Sequence, residues 1–107
     1  MNHVSINKID VLNERRKGLR PATSLFNFYR DNVDALNRIS KTKDELAARL
    51  RVSRRTISNW TRALCEVGVI KFKYSGSARL NPQVYFSGSE EDFKKAILEY
   101  ETFRSDL

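Results

Sequence analysis

Apolar residues recur every three to four positions along much of this 107-residue chain, a spacing that places them on one side of a helix. From residue 22 to residue 39 the spacing predicts a first helix. Pro21 suits its first turn, where the missing N–H costs nothing. The residues that keep the spacing are Leu25, Phe28, Tyr29, Asn32, Val33, Leu36 and Ile39.

Two more helices follow, separated by a tight turn. Thr42-Lys-Asp-Glu45 matches a capping box, and Leu46, Ala47 and Leu50 behind it predict a short second helix with an inward face. This helix ends near Arg51, because Ser53 has the character of the next N-cap. The third helix is expected over about 54–67, with Gly68 as a left-handed C-terminal cap. Its inward residues are Ile57, Trp60, Thr61, Leu64 and Val67.

After Gly68 the apolar spacing changes to two, which is typical of a half-buried strand. Ile70, Phe72 and Tyr74 are predicted to face inward, and Lys71 and Lys73 to form a basic outer face. Residues 75–79 are expected to turn, and residues 80–86 to return as a second strand. Residues 89–92, Ser-Glu-Glu-Asp, then cap a last helix that ends near residue 107.

The predicted order is helix, helix, tight turn, helix, basic hairpin, helix. We interpret this as a mainly α, α+β fold: a winged helix-turn-helix with an additional C-terminal helix. Residues 21–88 are expected to form the winged helix-turn-helix domain and residues 89–107 the C-terminal helix. Residues 1–20 form an N-terminal arm, in which 4–12 fit a short strand or a loose helical turn and 13–20 a basic connector.

The charge is unevenly distributed. The chain has a net charge of +7, but residues 1–88 carry 17 basic and 7 acidic side chains, whereas residues 89–107 carry 3 and 6. A basic body with an acidic end suits a polyanionic partner, although a merely soluble cationic protein has the same balance.

The third helix carries a polar, cationic face opposite its apolar one. A helix of this kind fits the major groove of B-DNA, where Arg pairs with guanine and Asn with adenine. The predicted base-reading residues are Arg54, Arg55, Ser58, Asn59 and Arg62. Ser53 and Thr56 are expected to contact phosphate, and Lys71, Lys73 and Arg79 of the hairpin to lie on the backbone or reach a minor groove. The alternative is a winged-helix adaptor that binds only proteins.

Several other classes of protein are disfavoured because the sequence lacks the residues or segments that they require. It offers no nucleophile–His pair and no Gly-rich phosphate loop, so we expect neither an enzyme nor a cofactor. One Cys and one His make a metal site improbable. No run reaches the roughly 20 apolar residues of a membrane span. Because the single cysteine excludes an intrachain disulfide and the N-terminus lacks a signal-peptide block, a reducing compartment such as the cytoplasm is expected. The A-form major groove does not admit such a helix, which argues against RNA.

The run TKDELAARLRVSRRTISNWTRALCEVGVIKF resembles the helix-turn-helix of bacterial winged-helix regulators. Its continuation, KFKYSGSARLNPQVYFSGSEEDFKKAI, resembles the small winged-helix replication proteins of Gram-positive plasmids, and the resemblance covers roughly residues 25–100. It implies binding to a plasmid origin, with replication or partition machinery as further partners. A plasmid or viral repressor or a partition protein has the same sequence features.

An apolar stripe on the last helix predicts a homodimer. Its residues are Phe93, Ile97, Tyr100, Phe103 and Leu107. A two-fold dimer reads two half-sites about one helical turn apart, whereas a single recognition helix reads only a few base pairs. The alternative is that the stripe folds back onto its own chain.

Overall fold

The computed structural model describes residues 2–4 and 22–107, and within these it contains four helices and five short strands. The helices are α1 (Ala22–Asn32), α2 (Lys43–Leu50), α3 (Arg54–Glu66) and α4 (Glu90–Thr102). The strands are β1 (Asn2–Val4), β2 (Arg38–Ser40), β3 (Ile70–Phe72), β4 (Ser77–Leu80) and β5 (Tyr85–Ser87). This order confirms the predicted α+β fold class.

The core lies where α1, α2 and α3 meet the inner face of a three-stranded sheet. Leu25, Leu46, Ile57 and Leu64 are fully buried, which confirms the predicted inward faces of the three helices. Trp60 is also buried. The sheet contributes Ile39, Ile70, Phe72, Ala78 and Leu80.

The tight turn before α3 is built by two caps, as the sequence predicts. The Thr42 hydroxyl accepts the Glu45 N–H at 3.1 Å and the Glu45 carboxylate accepts the Thr42 N–H at 3.1 Å, which completes the capping box. Arg51 adopts a left-handed conformation (φ 56°) that ends α2. The Ser53 hydroxyl then accepts the Thr56 N–H at 3.0 Å and starts α3. These local bonds fix the angle between the two helices.

The prediction that the first helix runs to residue 39 is wrong. α1 ends at Asn32, and β2 occupies Arg38–Ser40. The Asp34 carboxylate accepts the N–H groups of Leu36 and Arg38, which favours a turn over a helix. Asn37 then takes a left-handed conformation (φ 60°), and its buried amide donates to Leu80 O at 3.1 Å and Tyr85 O at 2.7 Å. Ile39 therefore enters the core from a strand.

The predicted second strand, residues 80–86, is also wrong. β4 begins earlier, at Ser77, and pairs antiparallel with both β2 and β3, so the sheet order is β2-β4-β3. Asn81 ends it, because its amide donates to Gly68 O at 2.8 Å and its side-chain oxygen accepts the Gln83 N–H. β5 belongs to a separate two-stranded sheet with β1.

The C-terminal helix ends at Thr102, five residues short of the predicted end. Residues 103–107 extend along β3 instead. The Ser105 hydroxyl accepts the Phe72 N–H at 3.0 Å, and the Asp106 N–H donates to Phe72 O at 2.8 Å. Because these bonds satisfy backbone groups of β3, the extended tail is favoured over another helical turn.

The predictions for residues 5–21, including the basic connector and the role of Pro21, lie outside the described residues. Residues 2–4 form β1, and of the segment 4–12 that was expected as a short strand or a loose helical turn only Val4 lies in it.

One buried hydroxyl on α3 gives a test of the core. Thr61 is fully buried, and its Oγ1 has no hydrogen-bond partner among the described residues. Thr61→Val keeps the shape and removes the unpaired hydroxyl, so we expect the free energy of unfolding to rise by about 1 kcal/mol. Urea denaturation measures this change. Thr56→Val is the matched control, because the Thr56 hydroxyl is bonded to Ser53 at 2.9 Å and its loss should not stabilise the fold. A Thr61→Val protein that is less stable than the unmodified one would contradict the assignment of the Thr61 hydroxyl as unpaired.

Candidate nucleic-acid interface

The face of α3 that points away from the core carries five polar or basic side chains over residues 54–62, and the single acidic residue of this helix, Glu66, lies at its far end. These are Arg54, Arg55, Ser58, Asn59 and Arg62, of which Ser58 is half-buried and the others are exposed. The buried Ile57 and Leu64 hold the opposite face against the body. The structure therefore brings all five sequence-predicted base-reading residues onto one accessible surface.

The start of α3 is fixed by neighbouring side chains. The Ser53 hydroxyl accepts the Thr56 N–H, and the two hydroxyl oxygens are 2.9 Å apart. Arg54 Nη1 lies 3.6 Å from Asp44 Oδ1 of α2, with both side chains more than half exposed. Such an exposed pair contributes little stability. Arg54 therefore remains available to a ligand.

The three cationic residues predicted for the wing lie side by side on the outer face of the sheet, but they are not free. The Lys71 ammonium donates to Tyr100 O at 2.8 Å, near the C-terminus of α4, and lies 4.6 Å from the Tyr100 ring centroid. Arg79 pairs with Glu99 at 3.1 Å, and its side chain is only 18% exposed.

Phe103 completes this arrangement. Its ring lies 4.4 Å from the Arg79 guanidinium carbon and 4.8 Å from the Lys73 ammonium, measured to the centroid. Cations are attracted to the face of an aromatic ring and to the negative end of a helix dipole. Lys71, Lys73 and Arg79 thus hold the C-terminal helix on the sheet, a contact that the sequence analysis did not foresee.

The apolar stripe of α4 divides into a covered and an open part. Phe93 packs on Phe86 with ring centroids 5.4 Å apart, and the Tyr100 hydroxyl donates to Gly68 O at 3.3 Å. Burial raises the pKa of Tyr100 to about 12, so this hydroxyl keeps its proton at neutral pH. Ile97 is half-buried and Leu107 is 40% exposed. These contacts favour the alternative in which much of the stripe folds back onto its own chain.

An exposed aromatic side chain stands at the hairpin tip, where the sequence analysis expected a buried one. Tyr74 is 65% exposed, because β3 ends at Phe72 and the turn begins at Lys73. The ammonium of Lys43 lies 5.3 Å from its ring centroid. The Tyr-Ser-Gly sequence after Lys73 is typical of a turn and could have predicted that Tyr74 is exposed. Lys43 was not singled out, because it lies within the capping-box sequence and was assigned only to the start of the helix.

Cys65 is a packing residue. Burial raises its pKa to about 11, and the neighbouring Glu66 adds to this effect, while a hydrogen bond from Ser105 lowers the pKa. The thiol is therefore protonated at neutral pH and a poor nucleophile. The described residues contain no cluster of three or more metal-ligating side chains. No helix in the described part of the chain is both long and apolar enough to cross a membrane.

A two-helix unit with a tight turn, a protruding polar helix and an antiparallel hairpin beside it define a winged helix-turn-helix protein. The family model of the Firmicute plasmid replication protein (RepL) matches residues 6–106. The chain therefore belongs to this family, which gives it a role related to plasmid replication. Searches of curated proteins and of solved structures returned no match.

Proposed function

We propose that this chain is a non-catalytic, sequence-specific binder of double-stranded DNA that recognises the replication origin of its plasmid in the cytoplasm. In this proposal α3 lies in the major groove and its exposed polar face reads base edges. The observation that carries the proposal is the segregation of side chains on α3: Arg54, Arg55, Asn59 and Arg62 are exposed on one side, and the other side is buried.

The chemistry of this face supports base reading as well as phosphate binding. Arg offers two parallel donors to guanine O6 and N7, and Asn pairs with adenine N6 and N7. The segment from Lys41 to Arg79 carries ten basic and three acidic residues, so the positive charge surrounds α3. Membership in the plasmid replication family supports an origin as the target.

A titration with two labelled duplexes of equal length tests the proposal. One carries the origin region of the plasmid that encodes the protein, and the other is a shuffled sequence. Fluorescence anisotropy should give at least a 10³-fold tighter dissociation constant for the origin at physiological salt, the lower end for specific DNA binding. Equal affinity for the origin and shuffled duplexes would show that binding is nonspecific and would contradict the proposal. No binding to either would favour the protein-only adaptor.

A homodimer through the C-terminal helix remains part of the proposal, because two half-sites supply the specificity that one short helix lacks. Leu98 on α4 is 65% exposed and Leu107, in the tail after this helix, is 40% exposed, so these are the most exposed large apolar side chains of the C-terminal segment.

Leu98→Glu tests the dimer without disturbing the core. We expect the unmodified protein to sediment as a dimer at tens of micromolar, and the variant to sediment as a folded monomer with weaker origin binding. Lys95→Gln, at another exposed position on α4, changes the net charge by the same single unit and is the control for charge. An unmodified protein that stays monomeric both free and on DNA would exclude the dimer.

A further inference from the structure

We propose that the wing contacts the DNA backbone through its tip, with Tyr74 and Lys43 as the contacting pair, and not through Lys71, Lys73 and Arg79. This inference rests on the proposed DNA-binding function and specifies a second contact surface for it. Tyr74 belongs to the hairpin and Lys43 to the first turn of α2, so the contact is assembled from two elements.

The tip is held rigidly, which makes it suitable for a defined contact. The Lys73 N–H donates to Ser77 O at 2.8 Å and the Gly76 N–H donates to Lys73 O at 2.8 Å, closing the turn. The Lys41 N–H donates to Gly76 O at 3.0 Å and so ties the tip to the connection before α2. The Tyr74 N–H is bonded to the Asp106 carboxylate at 2.9 Å. The exposed ring is thus presented from a fixed backbone.

Tyr74 and the recognition face lie on one continuous surface. The Lys43 ammonium is 5.3 Å from the Tyr74 ring centroid, and the next residue, Asp44, lies 3.6 Å from Arg54. The major groove is only about 12 Å wide, so a duplex seated on α3 brings its flanking backbone beside the helix N-terminus. Tyr74 can then donate its hydroxyl to a phosphate, and Lys43 can neutralise the same stretch of backbone.

Lys71 and Arg79 on the strands, and Lys73 at the start of the turn, are poor candidates for this contact. Lys71 and Arg79 already have partners in Tyr100 and Glu99, and Lys73 lies over Phe103. To bind DNA they would have to leave these partners. Among the described residues, the Lys43 ammonium contacts only the aromatic rings of Phe72 and Tyr74, at 5.8 Å and 5.3 Å from their centroids.

The test compares four single variants by their binding to the origin duplex and to the shuffled duplex as a function of salt. The plot of log K against log salt has a negative slope. Lys43→Ala should make this slope shallower by about 0.9, the value for one lost phosphate contact. Tyr74→Phe should lower affinity about two- to tenfold on both duplexes, the worth of one hydrogen bond. Lys71→Ala, checked for folding by thermal melting, should leave the slope unchanged. Lys95→Ala is the control for an exposed lysine on α4.

Each outcome has one meaning. If the salt slope becomes shallower for Lys71→Ala and not for Lys43→Ala, the wing contacts DNA through its strands and the proposed tip contact is wrong. Tyr74→Phe and Lys43→Ala proteins that bind both duplexes as the unmodified protein does would exclude the tip altogether. Asn59→Ala, run in parallel, separates these results from a failure of the proposed function, because it weakens origin binding whether or not the tip touches DNA.

Discussion

Replacing Asn59 with Ala is expected to weaken binding to the origin site by about 1–3 kcal/mol, the worth of one bidentate base contact. Asn59 is exposed in the middle of the recognition face, one turn beyond Arg55, and the substitution removes no core packing. Arg55→Ala should cost a similar amount. Binding to the shuffled duplex should fall much less for Asn59→Ala, because this side chain carries no charge for phosphate.

The matched measurement is the ratio of the two dissociation constants for each variant. Lys95→Ala is the control, since Lys95 is exposed on α4 and does not belong to α3. Equal losses on origin and shuffled DNA would show that Asn59 and Arg55 touch only the backbone.

Replacing Gly76 with Ala is expected to lower the free energy of unfolding by about 2–4 kcal/mol, through a strained backbone and a steric clash. Gly76 has φ +104°, a conformation that L side chains rarely adopt. An added Cβ would lie 2.9 Å from the carbonyl carbon and oxygen of Lys41 and 3.0 Å from the Thr42 nitrogen. These are backbone atoms of the α2 cap, so they cannot rotate away.

Urea denaturation measures the loss, and Ser75→Ala is the neighbouring control. Ser75 is exposed, so its truncation should change stability by less than about 0.5 kcal/mol. If Gly76→Ala is as stable as the unmodified protein, the hairpin tip does not dock against residues 41 and 42. The proposed contact through Tyr74 would then lose its rigid support.

The parts of the fold that the sequence predicted correctly are those that depend on neighbouring residues. Thr42 and Ser53 each bond to an N–H three residues later, and the alternation of Ile57 and Leu64 with polar residues follows from the helical period. The order of α2, turn and α3, and the outward face of α3, could therefore be predicted.

The parts that were missed depend on contacts between distant residues. Asn37 turns the chain into β2 because Leu80 and Tyr85 supply its acceptors. Arg79 pairs with Glu99, twenty residues away, a contact that the sequence analysis did not predict. No periodicity within a single segment reports such contacts. The exposure of Tyr74 was missed for a different reason: its alternation with Lys73 continues past the point where the strand ends.

Dimethyl sulfate interference on the origin duplex tests most directly whether α3 reads the major groove. The reagent methylates guanine N7 in the major groove and adenine N3 in the minor groove, so the two grooves are reported separately. If Arg55 or Arg62 pairs with guanine, methylation of N7 at one or two guanines of the site should block binding. Arg55→Ala should remove that sensitivity at one of them. Interference confined to adenine N3, or none at any guanine while specific binding persists, would contradict recognition by α3 in the major groove.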